Sequence, residues 1–260
     1  MARCINCNTE VEGAYCHNCG QKQEISKLTL RSLAEDIQQR LFGLDSRVMR
    51  TVRDLTIVPE KVVAGFLNGI RVNYVGPASY YFLLLTLFVL TISLLDIDMA
   101  AYTAATTSIF GTPDPEQVQT QMAFQQVAFS NFRVMSFIMI PWYILANYLL
   151  FRKSKLNFVE SAVFTFYVQA QPMLLSIIGL FLFKYFGLVM AISYVAPLSI
   201  LYYAYCAVRF YKHNHPVWAF IKGLLVTVLG LFFFVLVALI VMFVALIINP
   251  EGVKALLGIQ

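Results

Sequence analysis

Four cysteines stand close together near the start of the chain. Cys4 and Cys7 enclose two residues, eight follow, and Cys16 and Cys19 enclose two more. Two CxxC knuckles at this spacing bring four thiolates within tetrahedral reach of one Zn2+. Four thiolates leave no open coordination position, so the metal's role is structural rather than catalytic. A ribbon this small has too little core to fold by burial alone, so zinc binding contributes folding free energy directly. A redox switch is the other use such thiols have. His17, inside the second knuckle, reads as an exposed residue rather than a fifth ligand.

What carries this head is almost all membrane. Of the 260 residues, 59% are hydrophobic and 13% charged. Soluble domains run nearer 45–50% apolar and about 25% charged. The excess lies after Pro77, which excludes an ordinary soluble core and a disordered chain. The net charge of +5 is spread thinly, with its densest cluster at Arg152, Lys153 and Lys155. Basic residues beside membrane spans act as orientation signals, so nucleic acid is not an expected partner.

Five stretches are apolar and long enough to cross a bilayer core, for which about 20 residues are needed. They are 78–95, 134–151, 161–183, 186–208 and 223–248, and they predict an all-α membrane protein with a five-helix bundle. The last is long enough to tilt. With the N-terminus in the cytoplasm, sixteen Lys/Arg face inward and three (Arg133, Lys184, Lys254) face outward. That bias places the ribbon in the cytosol and the short tail 251–260 outside. A cytosolic CxxC pair stays reduced, which favours a metal over disulfides. No cleavable secretory signal is expected, because the first thirty residues lack an apolar run. Cys206, in the fourth span, reads as a small packing residue.

The ribbon should cover residues 1–27, and residues 28–76 should form juxtamembrane helices. Leu30, Leu33, Ile37, Leu41 and Leu44 recur at helical spacing opposite Arg31, Glu35 and Asp36. Asp45 can cap a second helix with Val48, Val52 and Leu55 on one face. Pro59 starts a third, which Asn68-Gly69 ends. These helices cannot build a large core alone. They should lie against the bundle or along the inner leaflet, with Arg47, Arg50, Arg53, Lys61 and Arg71 near lipid phosphates. In the one long outer loop, Gly111 to Pro115 marks a turn, and Val118, Met122 and Phe129 mark a short surface helix.

Cys16-His-Asn-Cys19-Gly20-Gln21, with Gly69-Ile-Arg71-Val-Asn-Tyr74-Val-Gly-Pro77 just before a span, resembles an uncharacterised bacterial membrane-protein family. The likeness covers about the first ninety residues and extends through Leu44-Asp45, Thr51, Leu55 and Pro59 to Tyr80-Tyr81. It implies a zinc-binding head on several spans of a bacterial inner membrane, and it brings no known activity.

Other candidate sites are polar. Arg71 and Tyr74 sit where the chain enters the bilayer, as an interfacial anchor or as a head-group or ligand site. Gln169 and Gln171 precede Pro172 in mid-span, either bonding across helices or lining a solute path. Pro172 removes one helical hydrogen bond, freeing the Val168 carbonyl. Pro141 and Pro197 should kink spans two and four. Glu160 reads as an interfacial ion-pair partner of Arg152 and Lys153, and His213-Asn214-His215 as a solvated loop. Span centres hold hardly any charge, which weighs against a proton-coupled carrier. Motifs for acyl transfer, zinc proteolysis or phosphate cradling do not occur. The expectation is a non-enzymatic inner-membrane protein whose ribbon meets a protein partner or senses a cytosolic state. The alternative is a channel, transporter or lipid-handling protein built on the third span.

Overall fold

The computed structural model describes residues 2–22, 46–97, 132–212 and 215–248. The amphipathic stripe from Leu30 to Leu44, the Asp45 cap, the outer-loop turn and helix, His213-Asn214 and the tail lie outside the described residues.

The ribbon pairs two short strands, β1 (Ala2–Arg3) and β2 (Glu10–Val11), in antiparallel register. Its two knuckles repeat one backbone design. Cys4 N–H donates to the Thr9 carbonyl and Asn8 N–H to that of Cys4; Cys16 N–H donates to Gln21 and Gly20 N–H to Cys16. Closing each knuckle requires a left-handed residue after the second cysteine. Asn8 (φ 63°) and Gly20 (φ 70°) occupy those positions. Asparagine and glycine are the residues that adopt this conformation at least cost.

A helical hairpin follows: α1 (Ser46–Ile57) and α2 (Pro59–Leu67). Val58 joins them with an extended φ of −137°, as a residue before proline favours. α2 ends as its sequence predicts: Asn68 caps it and Gly69 turns away at φ 86°.

The bundle comprises α3 (Pro77–Leu95), α4 (Phe132–Leu150), α5 (Phe158–Phe186), the one-turn α6 (Val189–Ser193) with α7 (Val195–Phe210), and α8 (Pro216–Ile248). Among the described residues, four stretches are long and apolar enough to cross a membrane: 77–95, 158–186, 189–210 and 216–237. Within α4, Met139–Leu150 is a shorter apolar stretch. The protein is therefore an all-α, multi-pass membrane protein with a ribbon head.

Several boundaries differ from expectation: the last helix starts at Pro216 rather than 223, and two other differences have a clear local cause. The third span starts at Phe158 rather than 161, because Asn157 and Glu160 form a capping box. The Asn157 side chain accepts from Glu160 N–H at 2.7 Å, and Glu160 accepts from Asn157 N–H at 2.8 Å. Glu160 thus serves the helix start and not an ion pair with Arg152 and Lys153. The fourth span is interrupted at Tyr194. Pro197 lies four residues after Ser193 and has no N–H to offer that carbonyl, so the helix restarts at Val195. α5, by contrast, runs through Pro172 as one helix.

α3 and α5 run parallel. Tyr167 bonds the Val75 carbonyl, Tyr80 bonds Gln171, and Lys184 bonds the Asp96 carbonyl. Nineteen residues at 1.5 Å each make α3 about 28 Å long, close to a bilayer core of about 30 Å. Its ends therefore mark the two membrane faces, and Gln171 lies about one turn inside the face at Pro77.

α7 meets α8 through small residues. A Cβ on Gly223 would stand 2.7 Å from Ala204 Cα. Such close backbone approach is how membrane helices gain packing contact when lipid is as apolar as their side chains. One core joins hairpin and bundle, from Leu55, Val62 and Phe66 to Tyr167, Tyr203 and Val226, while Phe88, Leu95 and Leu180 form a separate cluster at the far end of α3 and the ribbon has its own. Cys206 packs in the first of these, fully buried.

Candidate metal centre and its seat on the bundle

The four cysteine Sγ atoms lie within 4.8 Å of one another. Cys4 and Cys19 are 3.6 Å apart, and Cys7 and Cys16 3.5 Å. A tetrahedron with Zn–S bonds of about 2.3 Å has S–S edges of about 3.8 Å, so the cluster has the size of a metal shell. No disulfide joins these cysteines. Cys4 and Cys16 are buried with Val11, and Cys7 and Cys19 are partly covered. Hydrogen bonds to the Thr9 side chain and backbone pull Cys7 down to about 6. Burial pushes Cys19 up to about 11. Four thiolates at this range repel one another unless a cation sits among them, so the donor set fits a divalent metal.

The ribbon is seated on the membrane domain by residues just outside the metal shell. The Gln21 side chain is buried and reaches three backbone groups. Its Nε2 donates to the Gly69 carbonyl at 2.6 Å and to Lys22 at 3.0 Å, and its Oε1 accepts from Arg71 N–H at 3.3 Å. From the first knuckle, Asn6 exchanges amide hydrogen bonds with Asn73, at 2.8 and 3.4 Å. Both knuckles therefore touch the segment 69–73. The residues that make this seat, Gln21, Asn6 and Asn73, were not expected from the sequence.

Arg71 lies over the Phe66 ring, 5.4 Å from its centroid. Tyr74 is buried, and its hydroxyl donates to Asp54 Oδ2 at 2.8 Å. Asp54 also takes Arg53 Nε at 2.8 Å. Burial works against its ionisation, yet the Arg53 and Tyr74 hydrogen bonds, with the charges of Arg53 and Lys61, hold its carboxyl below the usual range. Burial, then Asp54, pushes Tyr74 up to about 12. Next to them, Thr51 accepts from Val75 N–H at 3.1 Å.

Gln169 and Gln171 part company. Two residues turn a helix by about 200°, so they face opposite sides of α5. Gln171 Nε2 donates to the Val52 carbonyl and to Thr56 Oγ1, and its Oε1 accepts from Tyr80. Gln169 lies on the side of Tyr143. Its Nε2 is buried without a hydrogen-bond partner.

The tip of the hairpin is held in the same way as its side. Tyr202 donates to the Leu55 carbonyl at 2.9 Å and Tyr205 to that of Ile57 at 3.0 Å. The last carbonyls of a helix have no intrahelical donor, and in lipid they must find one elsewhere. α7 supplies it, and Arg209 grips Glu60 through two bonds of 2.6 and 3.1 Å. The hairpin is thus inserted against the bundle, and it brings two carboxylates, Asp54 and Glu60, to a domain whose spans hold hardly any.

Residues 45–89 match the family described as Protein of unknown function (DUF3667). The matched stretch holds the hairpin, the ribbon's seat and the first two-thirds of α3. It therefore covers the part that joins head to bundle. No curated protein and no solved structure matches the chain.

Proposed function

We propose that this protein is a non-enzymatic adaptor or sensor of a bacterial inner membrane, with a zinc-loaded ribbon in the cytosol. One observation carries the reading: the knuckles are bonded through Gln21 and Asn6 to the segment that leads into α3. A head seated this way passes any change in its own fold to the hairpin and the bundle. Zinc is the metal that four thiolates at this spacing select, and its role is to hold the seat's geometry. The positive-inside bias of the loops puts the head in the cytosol and the C-terminus outside. Arg71 and Tyr74 support that seat, the one through Phe66 and the other through Asp54.

The test uses cells that lack the gene and show a phenotype for the loss. Full-length protein should restore growth or stress tolerance, while Cys16→Ser/Cys19→Ser and Gln21→Ala should not, at equal membrane abundance. Complete rescue by a chain without residues 2–22 would end this reading.

A second reading has one observation in its favour. The buried, unpartnered amide of Gln169 is a polar donor inside the bundle, as a solute or lipid-handling path requires. Gln171, on the other face, is occupied with the hairpin. Gln169→Leu should then abolish function while leaving folding intact, and wild-type behaviour of that variant would remove this alternative.

A further inference from the structure

We infer that the exposed face of α1 is a binding site for the phosphate head group of an anionic phospholipid, in the leaflet on the ribbon's side. Around the helix, Met49, Arg53 and Ile57 follow one another at i, i+4 and i+8, with Arg50 flanking them. Met49 is 73% exposed and Ile57 60%, both outside the core. The Arg53 side chain is 68% exposed although its Nε is engaged by Asp54, so the far end of the guanidinium faces outward. Arg50 is exposed too. Met49, Arg50, Val52 and Arg53 line a shallow groove on this face. Two guanidinium groups over an apolar floor match a phosphate linked to acyl chains.

Depth supports the same occupant. Thr56 touches Gln171, which lies about one turn inside the membrane face marked by Pro77. Thr51 of the same helix accepts from Val75 N–H, two residues before Pro77, so α1 runs along that face with Arg50 and Arg53 beside it. Arg50, Arg53 and Lys61 surround the Asp54–Tyr74 pair. Asp54 is 6% exposed and already bonded to Arg53 and Tyr74, so the face keeps a net positive charge toward the membrane.

The experiment titrates detergent-solubilised full-length protein with phosphatidylglycerol or phosphatidylcholine and reads single-lipid adducts by native mass spectrometry. Near an anionic surface each basic residue contributes about a five-fold change in association. Arg50→Ala should therefore lower phosphatidylglycerol affinity about five-fold, leaving phosphatidylcholine unaffected. Arg50→Lys should stay within about two-fold of wild type. Arg50 is chosen because its replacement leaves the Arg53–Asp54 bond in place, and Lys153→Ala, in a different loop, controls for general charge.

An equal loss in Lys153→Ala would overturn the inference in favour of a diffuse field. Displacement of the lipid by millimolar inorganic phosphate would overturn it in favour of a soluble anion. Unchanged lipid affinity in Arg50→Ala would do the same, and would leave the face to an acidic protein surface.

Discussion

Replacing Gln171 by leucine tests the inserted hairpin at its deepest bond. The change removes three hydrogen bonds, to Tyr80, Val52 and Thr56. Their losses are unequal. The Val52 carbonyl keeps a bond from Thr56 Oγ1 at 2.9 Å, and Thr56 lies at an exposed position. The Tyr80 hydroxyl is fully buried and loses its acceptor. An orphaned buried group costs about 1–3 kcal/mol. The hairpin bonds add about 0.6 kcal/mol each at the membrane average. The sum is about 2–4 kcal/mol, or roughly a 30- to 900-fold rise in local opening. Hydrogen exchange of the full-length protein in detergent should show it in peptides covering 48–58, with little change in α8. Tyr80→Phe removes the orphan, so Tyr80→Phe/Gln171→Leu should recover part of the protection lost in Gln171→Leu alone. Wild-type exchange in Gln171→Leu, or fully additive losses in the double variant, would refute the reasoning.

Further outcomes follow from other contacts. Purified wild-type protein should carry one zinc per chain by elemental analysis, and Cys16→Ser/Cys19→Ser close to none. Gly223→Val should destabilise the α7–α8 contact by about 1–3 kcal/mol, since its first side-chain atom meets Ala204 backbone; thermal unfolding in detergent reads this. Asp54 has a folded pKa below its unfolded one, so its contribution is present above about pH 4 and disappears as pH falls through the lower, folded value. Thermal stability should therefore drop below about pH 4 less steeply in Asp54→Asn than in wild type.

How much of this was legible in the sequence differs from residue to residue. The cysteine spacing exposed the four-thiol cluster, because thiolate chemistry and knuckle geometry are both local. Hydropathy exposed the spans, and Pro59 with Asn68-Gly69 exposed the second hairpin helix. The α5 start was readable and missed: Asn157-x-x-Glu160 is a capping-box pattern, which an ion-pair reading of Glu160 obscured. The two glutamines were also separable in advance, since helical periodicity puts them on opposite faces. Gln21 was not readable as the ribbon's seat, because its partners are backbone groups some fifty residues away. Hairpin insertion was hidden for the same reason. Tyrosine hydroxyls meeting helix-end carbonyls leave no pattern in either segment. Asp54 and Glu60 carry no local signal of the Tyr74 and Arg209 partners that the fold gives them.

The most direct test of the coupled head is hydrogen exchange in the segment 66–77 of the full-length protein, before and after zinc is stripped by a chelator. Loss of the metal should unfold the knuckles, free Gln21 and raise exchange at Ile70 to Tyr74 to the level of the zinc-loaded Gln21→Ala protein. If residues 2–22 lose protection while that segment exchanges as before, the head is not coupled to the bundle, and the account fails at its centre.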